Sequence, residues 1–257
     1  MEASLLRAAA FLAGLLGLRG TEIRAPHHAP TAPLGRRWVA NLGLGVVNGV
    51  VVSLAYAACY ALGARDLVGR LAPLRLLPPS PWVQIPLAIV LLDLVTYLLH
   101  RAYHRVPVLW RLHLVHHTDL DLDVSSASRF HTGEVVLSSF LKIGVVAILG
   151  ITPAGLVAFE IAMLACAQFQ HANVRLAPVV ERALWRTFVP PAMHRIHHAP
   201  DVRDTNSNFG TILTLWDVLL GTFNRRAPDP APSFGLERFR DARALGFGAL
   251  AALPFRR

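Results

Sequence analysis

Lysine is almost missing from this chain: Lys142 is the only one among 25 basic residues, so the formal charge of +9 is an arginine charge. Charge of either sign is scarce. Charged residues make up 16% of the 257, hydrophobic ones 54%, and the mean hydropathy is +0.45, a balance too apolar for an ordinary soluble domain. The arginines flank apolar runs and form no basic stripe interleaved with aromatics, which argues against nucleic acid and for anionic lipid headgroups or an acidic protein partner. Only two cysteines occur, Cys59 and Cys166, far apart and each inside an apolar run. A disulfide framework and a cysteine-type zinc motif are thereby disfavoured, and both residues read as small packing groups. There is no C-x-x-C-H for haem attachment, no cysteine set for an iron–sulfur cluster and no G-x-G-x-x-G after a strand, so any electrons the chain uses come from a separate carrier.

What the chain has in quantity is long apolar runs. Trp38–Leu62, Trp82–Leu99, Val135–Ile151 and Pro153–Phe169 are each long enough, or nearly so, to cross the hydrocarbon. A shorter run, Ala3–Leu18, opens the chain; it lacks the basic leader and cleavage site of a signal peptide and is read as a retained membrane helix. The expected fold is therefore all-α: a polytopic bundle of about four or five membrane helices. Arg19, Arg24, Arg36 and Arg37 precede the second run, and Arg101, Arg105, Arg111 and Arg129 follow the third, whereas the join at Gly150–Ala154 carries no charge. The excess of arginine places the first connection and the segments after the third and fifth runs on the cytoplasmic side, where they form a helical cap. Arg65, Arg70 and Arg75 oppose this topology, and Leu67–Pro79 is expected to lie flat in the interface. Residues 1–224 read as a single membrane domain and 225–257 as a tail, with Arg225–Pro232 as its linker. Trp216–Phe223 is too short to span and is expected to pack on the cap or dip into the interface.

Eight of the twelve histidines fall in three boxes: His100 and His104 in HRAYH, His113, His116 and His117 in HLVHH, and His194, His197 and His198 in HRIHH. Positions i, i+3 and i+4 share one face of a helix, so each box can aim two or three imidazoles the same way. Together they offer more nitrogens than one tetrahedral ion takes, and two metals are the economical reading. Imidazole suits iron, zinc, copper and nickel alike, so ligand type does not choose the metal. The spacing is H-x-x-H-H and not H-E-x-x-H, so the glutamate base of zinc proteases is missing and metal-assisted hydrolysis loses its support. Pro107 is expected to end the helix carrying the first box, with His113–His117 starting a second. The boxes gather at one end of the apolar runs. A membrane metal transporter or storage protein, the rival reading, would string polar ligands through the runs instead.

The boxes, together with LLDLVTYLLHRAYH, RFHTGE with His131, FQHAN with His171, and MHRIHHAPDVRDTNSNFGTILTLWDVLLGTF, resemble the fatty acid hydroxylase / sterol desaturase superfamily. The resemblance covers roughly 41–223. It implies an integral-membrane, oxygen-dependent oxidoreductase that hydroxylates or desaturates a lipid C–H bond. Two iron ions are the implied cofactor, with zinc able to occupy the site in purified protein, O2 the co-substrate and a ferredoxin or small cytochrome the electron donor. Membrane lipids are the implied surroundings, and sterols, fatty acyl chains and related lipids the implied substrates. Carried over by motif, the metal ligands are His100, His104, His113, His116, His117, His131, His171, His194, His197 and His198.

Polar residues near this set have two readings. Asp93 lies seven residues before His100 and Glu160 eleven before His171, each nearly in phase with the histidine and deeper in the membrane. They are either bundle contacts or, for Asp93, partners of a ligand imidazole. Asn173, Asn206 and Asn208 either bond ligand histidines or cap and turn the chain. His27 and His28, in APHHAP, read as surface residues.

Overall fold

A computed structural model describes residues 2–61, 72–76, 80–226 and 233–256. Among the described residues, five helices are long and apolar enough to cross a membrane: α1 (Glu2–Arg24), α2 (Leu34–Ala61), α3 (Pro81–Arg105), α5 (Thr132–Leu149) and α6 (Pro153–His171). Between α3 and α5 lies the short α4 (Pro107–His117); after α6 come α7 (Pro178–Leu184), α8 (Pro191–His197), α9 (Val202–Thr205), α10 (Leu215–Leu219) and, near the C-terminus, α11 (Phe247–Ala252). Apart from two isolated bridges, Pro26–Val174 and Phe188–Leu213, the described residues contain no β-structure. The all-α membrane bundle expected from composition is what forms. Most of the stretch carrying Arg65, Arg70 and Arg75 lies outside the described residues or has no described side chains.

Proline starts several helices. Pro81, Pro107, Pro153, Pro178 and Pro191 each occupy the first turn, where the missing N–H is not needed and the fixed φ suits a helix. Pro107 therefore begins α4, and His113–His117 form its C-terminal end, the reverse of the expectation that they would start it. α5 ends at Gly150 in the left-handed region (φ 76°), and Thr152 caps α6 through Gly155 N–H, so two long helices reverse within three residues.

α6 is the central element, with α3 along one side and α1 along another, while α2 packs on α5. Small residues permit the approach: a Cβ on Gly155 would lie 2.8 Å from Ala88 Cβ across the α3–α6 contact. Leu92, Phe159, Ile151 and Ile212 fill the core there, with Cys166 packed against them. The ends of α3 and α6, the starts of α2 and α5 and the short helices meet at one pole. The segment 245–253 joins this body: Leu245, Leu250 and Leu253 are buried with Ala40, Leu44 and Val115.

Candidate metal centre

Nine histidines converge at that pole in two groups. His100, His104, His113, His117 and His197 form one, and His116, His171, His194 and His198 the other, each with its candidate ligand atoms within 4.8 Å of one another. α3 supplies His100 and His104 one turn apart at its C-terminal end; α4 supplies His113 and His117 to one group and His116 to the other; α6 ends on His171; α8 splits likewise, giving His197 to the first and His194 with His198 to the second. The H-x-x-H-H spacing thus serves both groups, since neighbouring residues on a helix diverge by about 100°.

In five of the nine rings the outer nitrogen is tied down. Nδ1 of His100 contacts Phe209 O (2.8 Å), Nδ1 of His197 contacts Ser207 O (2.8 Å), and Nδ1 of His116 and His171 contact Arg129 O (3.2 Å) and Ala167 O (2.6 Å). His113 Nδ1 meets Glu134 Oε1 at 2.8 Å. A carbonyl or carboxylate can only accept, so each of these rings donates its Nδ1–H outward and keeps the Nε2 lone pair pointing inward. In the five-histidine group every Nε2 is buried without a partner. In the four-histidine group the Nε2 atoms face each other: His171 to His116 and to His194 at 3.0 Å, and His198 to His194 at 3.1 Å. His116 and His171 are both protonated at Nδ1, so the Nε2 lone pairs they turn on each other repel. A cation at each focus reverses that interaction, and the donor set fits two metal ions.

Burial keeps the rings neutral. It holds His116, His117, His194 and His198 well below the usual histidine range, neighbouring imidazoles adding to the effect, and lowers His197 to about 3.

The tenth histidine stands apart. His131 caps α5, its Nδ1 accepting from Gly133 N–H at 3.0 Å while Nε2 contacts Ala251 O at 3.1 Å. Both ring nitrogens are engaged away from the two groups, and His131 belongs to neither of them. Glu134, three residues on in the same RFHTGE segment, is the partner that sequence reasoning missed; an acid in the first turn of the helix that leaves the histidine level was the available signal.

Asp93 reaches no ligand imidazole. It accepts from Ile212 N–H and Leu213 N–H (both 3.1 Å) and Trp216 Nε1–H (2.8 Å), fastening the segment after α9 onto α3. Asn173 likewise serves the α1–α2 loop, accepting from His27 and His28 N–H and donating to His28 O. Asn206 bonds Val202 O. Asn208 touches no imidazole, yet its backbone lies between the Ser207 and Phe209 carbonyls that hold His197 and His100, at φ 55°, with its side chain bridging Met193 O and Asn224. Glu160 is a bundle contact, bonding Arg7 of α1 and Tyr56 of α2. His28 is paired with Asp121 at 2.6 Å and is not a surface group.

The 118–129 segment that follows the second box is clamped onto α2. Arg37 forms two hydrogen bonds with Asp119 (2.7 and 3.1 Å) and one with Asp123 (2.9 Å), and Asn41 and Ser126 complete Asp119. Burial alone would raise the Asp119 carboxyl; the Arg37 and Arg129 guanidiniums hold it far below the ordinary carboxylate range. Arg129, fully buried, donates to Val115 O, Asn41 Oδ1 and Thr118 Oγ1, and its own carbonyl takes His116.

A cavity of about 270 Å³ opens beneath the histidines between α3, α5 and α6. His100, His113, His116, His171 and His194 line its upper end and Leu99, Val135, Met163 and Leu164 its apolar walls.

Five membrane-length helices closed at one pole by two histidine clusters define a polytopic membrane protein with a histidine-rich site suited to metal. The fatty acid hydroxylase family model matches residues 85–222, and the chain belongs to that family. It is 32% identical over 192 residues to the ornithine lipid hydroxylase OlsE of Rhizobium tropici, covering 70% of this chain and 53% of that protein. To the alkylglycerol monooxygenase of Caenorhabditis elegans it is 26% identical over 157 residues, 61% of this chain and 30% of the other; to the human one it is 28% identical over 147 residues, 56% and 31%. The chain spans about half or less of the length of these relatives. No solved structure matches it.

Proposed function

We propose that the chain is a di-iron, oxygen-dependent membrane oxidoreductase that hydroxylates a lipid C–H bond. The observation that carries this reading is the set of nine inward-facing imidazoles above a cavity between membrane helices. The relatives, named as a lipid hydroxylase and monooxygenases, favour hydroxylation over desaturation. The ligands are His100, His104, His113, His117 and His197 for one iron, and His116, His171, His194 and His198 for the other. Bound iron would supply the chemistry that side chains lack, activation of dioxygen with two external electrons and two protons, so that one oxygen atom enters the lipid and the other leaves as water. The protein's part is to hold His100, His113, His116, His171 and His197 by Nδ1–H, to bury the imidazoles, and to present one stretch of chain to the site away from water.

By the positive-inside rule the metal pole faces the cytoplasm, where exposed Arg175, Arg182, Arg186 and Arg203 form a docking surface for an acidic ferredoxin or small cytochrome. The test is iron-loaded protein in lipid nanodiscs, reduced under 18O2 with a membrane lipid extract. One 18O atom gained by a lipid is the expected result. Iron bound at both groups with no oxygen transferred to any lipid, under reductant sufficient to reduce it, would contradict the reading.

A further inference from the structure

The one lysine of the chain lies in the middle of α5, and its position is costly. Lys142 is residue eleven of an eighteen-residue membrane helix, about 10 Å along the axis from one end and about 15 Å from the other, beyond what an extended lysine side chain covers by snorkelling. It lines the cavity together with Glu134, Ser138 and Ser139 from the same helix face, as the spacing 134, 138, 139, 142 requires. The two carboxylates whose charge acts on it are Glu134 and Glu160, but neither forms an ion pair with it: Glu134 accepts from His113, and Glu160 is held by Arg7 and Tyr56. An ammonium is a pure donor, and within a membrane helix it requires an acceptor, best an anionic one.

We propose that Lys142 is the headgroup subsite of this cavity, binding the anionic oxygens of a lipid carboxylate or phosphate while the attached chain runs to the histidine pole. The proposal rests on the lipid-oxidising reading above and adds a substrate class to it. Orientation follows from charge. Glu134 stands at the histidine end and repels an anion, and Lys142 stands eight residues further along α5, about 12 Å away, and attracts it. The carbon that meets the site is thus set by its distance from the charge. At about 270 Å³ the cavity is near the lower limit for ligand pockets, roughly 300 Å³, so it takes part of one chain and excludes a second.

The test measures binding apart from turnover. Radiolabelled hexadecanoate, hexadecyl phosphate and hexadecanol are titrated into the full chain in nanodiscs of uncharged lipid, for wild type, Lys142→Met and Lys142→Arg, with metal content as the control for folding. Wild type and Lys142→Arg should bind at least one of the anions about tenfold or more tighter than the alcohol, and Lys142→Met should bind all three alike; carboxylate against phosphate preference identifies the headgroup. Equal binding of acid, phosphate and alcohol by wild type, or an anion preference intact in Lys142→Met, would overturn the proposal. Charge-selective binding without oxygen transfer would leave the subsite standing and count against the hydroxylase reading alone. In turnover, Lys142→Met should scatter the position of oxidation along the chain, an effect that mere loss of stability does not produce.

Discussion

At the scale of single residues, the proposed metal site depends on the nitrogens that face away from its two foci. A hydrogen bond to Nδ1 fixes the tautomer and ring angle, and losing such a partner typically costs about 10- to 100-fold in metal affinity. Glu134→Ala should therefore weaken metal retention by about that factor at the five-histidine group, and Glu134→Gln, which keeps an acceptor for His113, should recover part of it; competition with a chelator measures both. His131→Ala removes a helix cap, costing about 1 kcal/mol, and should leave metal content unchanged, whereas His116→Ala should lower it. The histidine boxes were legible because their spacing states a shared face. His131 was not separable from them, since a flanking motif does not reveal whether a ring caps a helix or points inward. Acid sensitivity belongs to this scale too. An imidazole whose pKa is lowered by burial resists protonation below the ordinary range near 6.5, so protons compete for His197, lowered to about 3, and for its neighbours only in stronger acid. Metal content should hold as pH falls through 6.5 and be lost only well below it; loss centred at 6.5 would show exposed, ordinary histidines.

Among elements, the decisive feature is that the irregular segments around the histidine groups are anchored to helices by buried carboxylates. Asp93 binds the 212–216 segment to α3, and Asp217 accepts from Phe209 and Gly210 N–H next to the carbonyl that holds His100. The phase of Asp93 on α3 was readable, but phase gives a face and not a partner, and the partner lies more than a hundred residues away. The Arg37–Asp119–Asp123 clamp was hidden for the same reason: Arg37 reads as a flanking charge for the positive-inside rule and proves buried. Removing one member of such a pair strands the other, so Arg37→Met should destabilise the fold by about 3–5 kcal/mol, measured by thermal unfolding in detergent. Asn208 tests backbone geometry. At φ 55° a β-branched side chain is strained and glycine is not. Asn208→Val should lower metal retention through the Ser207 and Phe209 carbonyls, and Asn208→Gly should keep more of it despite losing the same side-chain bonds.

For the whole molecule, five membrane-length helices bring one pole together from segments spread between His100 and His198, with α1 and α2 closing the flank and the C-terminal residues folded against α2 and α4. Span number and the gathering of histidines at one level followed from hydropathy and box positions. The cavity did not, since it is the space left between α3, α5 and α6 and depends on packing that no local pattern records. If the two histidine groups are separate metal sites at one pole, each binds and loses its ion independently. Metal is counted per chain after anaerobic iron loading, for wild type beside His104→Ala and His194→Ala, one from each group. About two irons are expected in wild type and about one in each variant, with distinct spectra for the two remaining sites. A wild-type value of one or less at saturation, or both irons lost together in either variant while the fold persists, would contradict it.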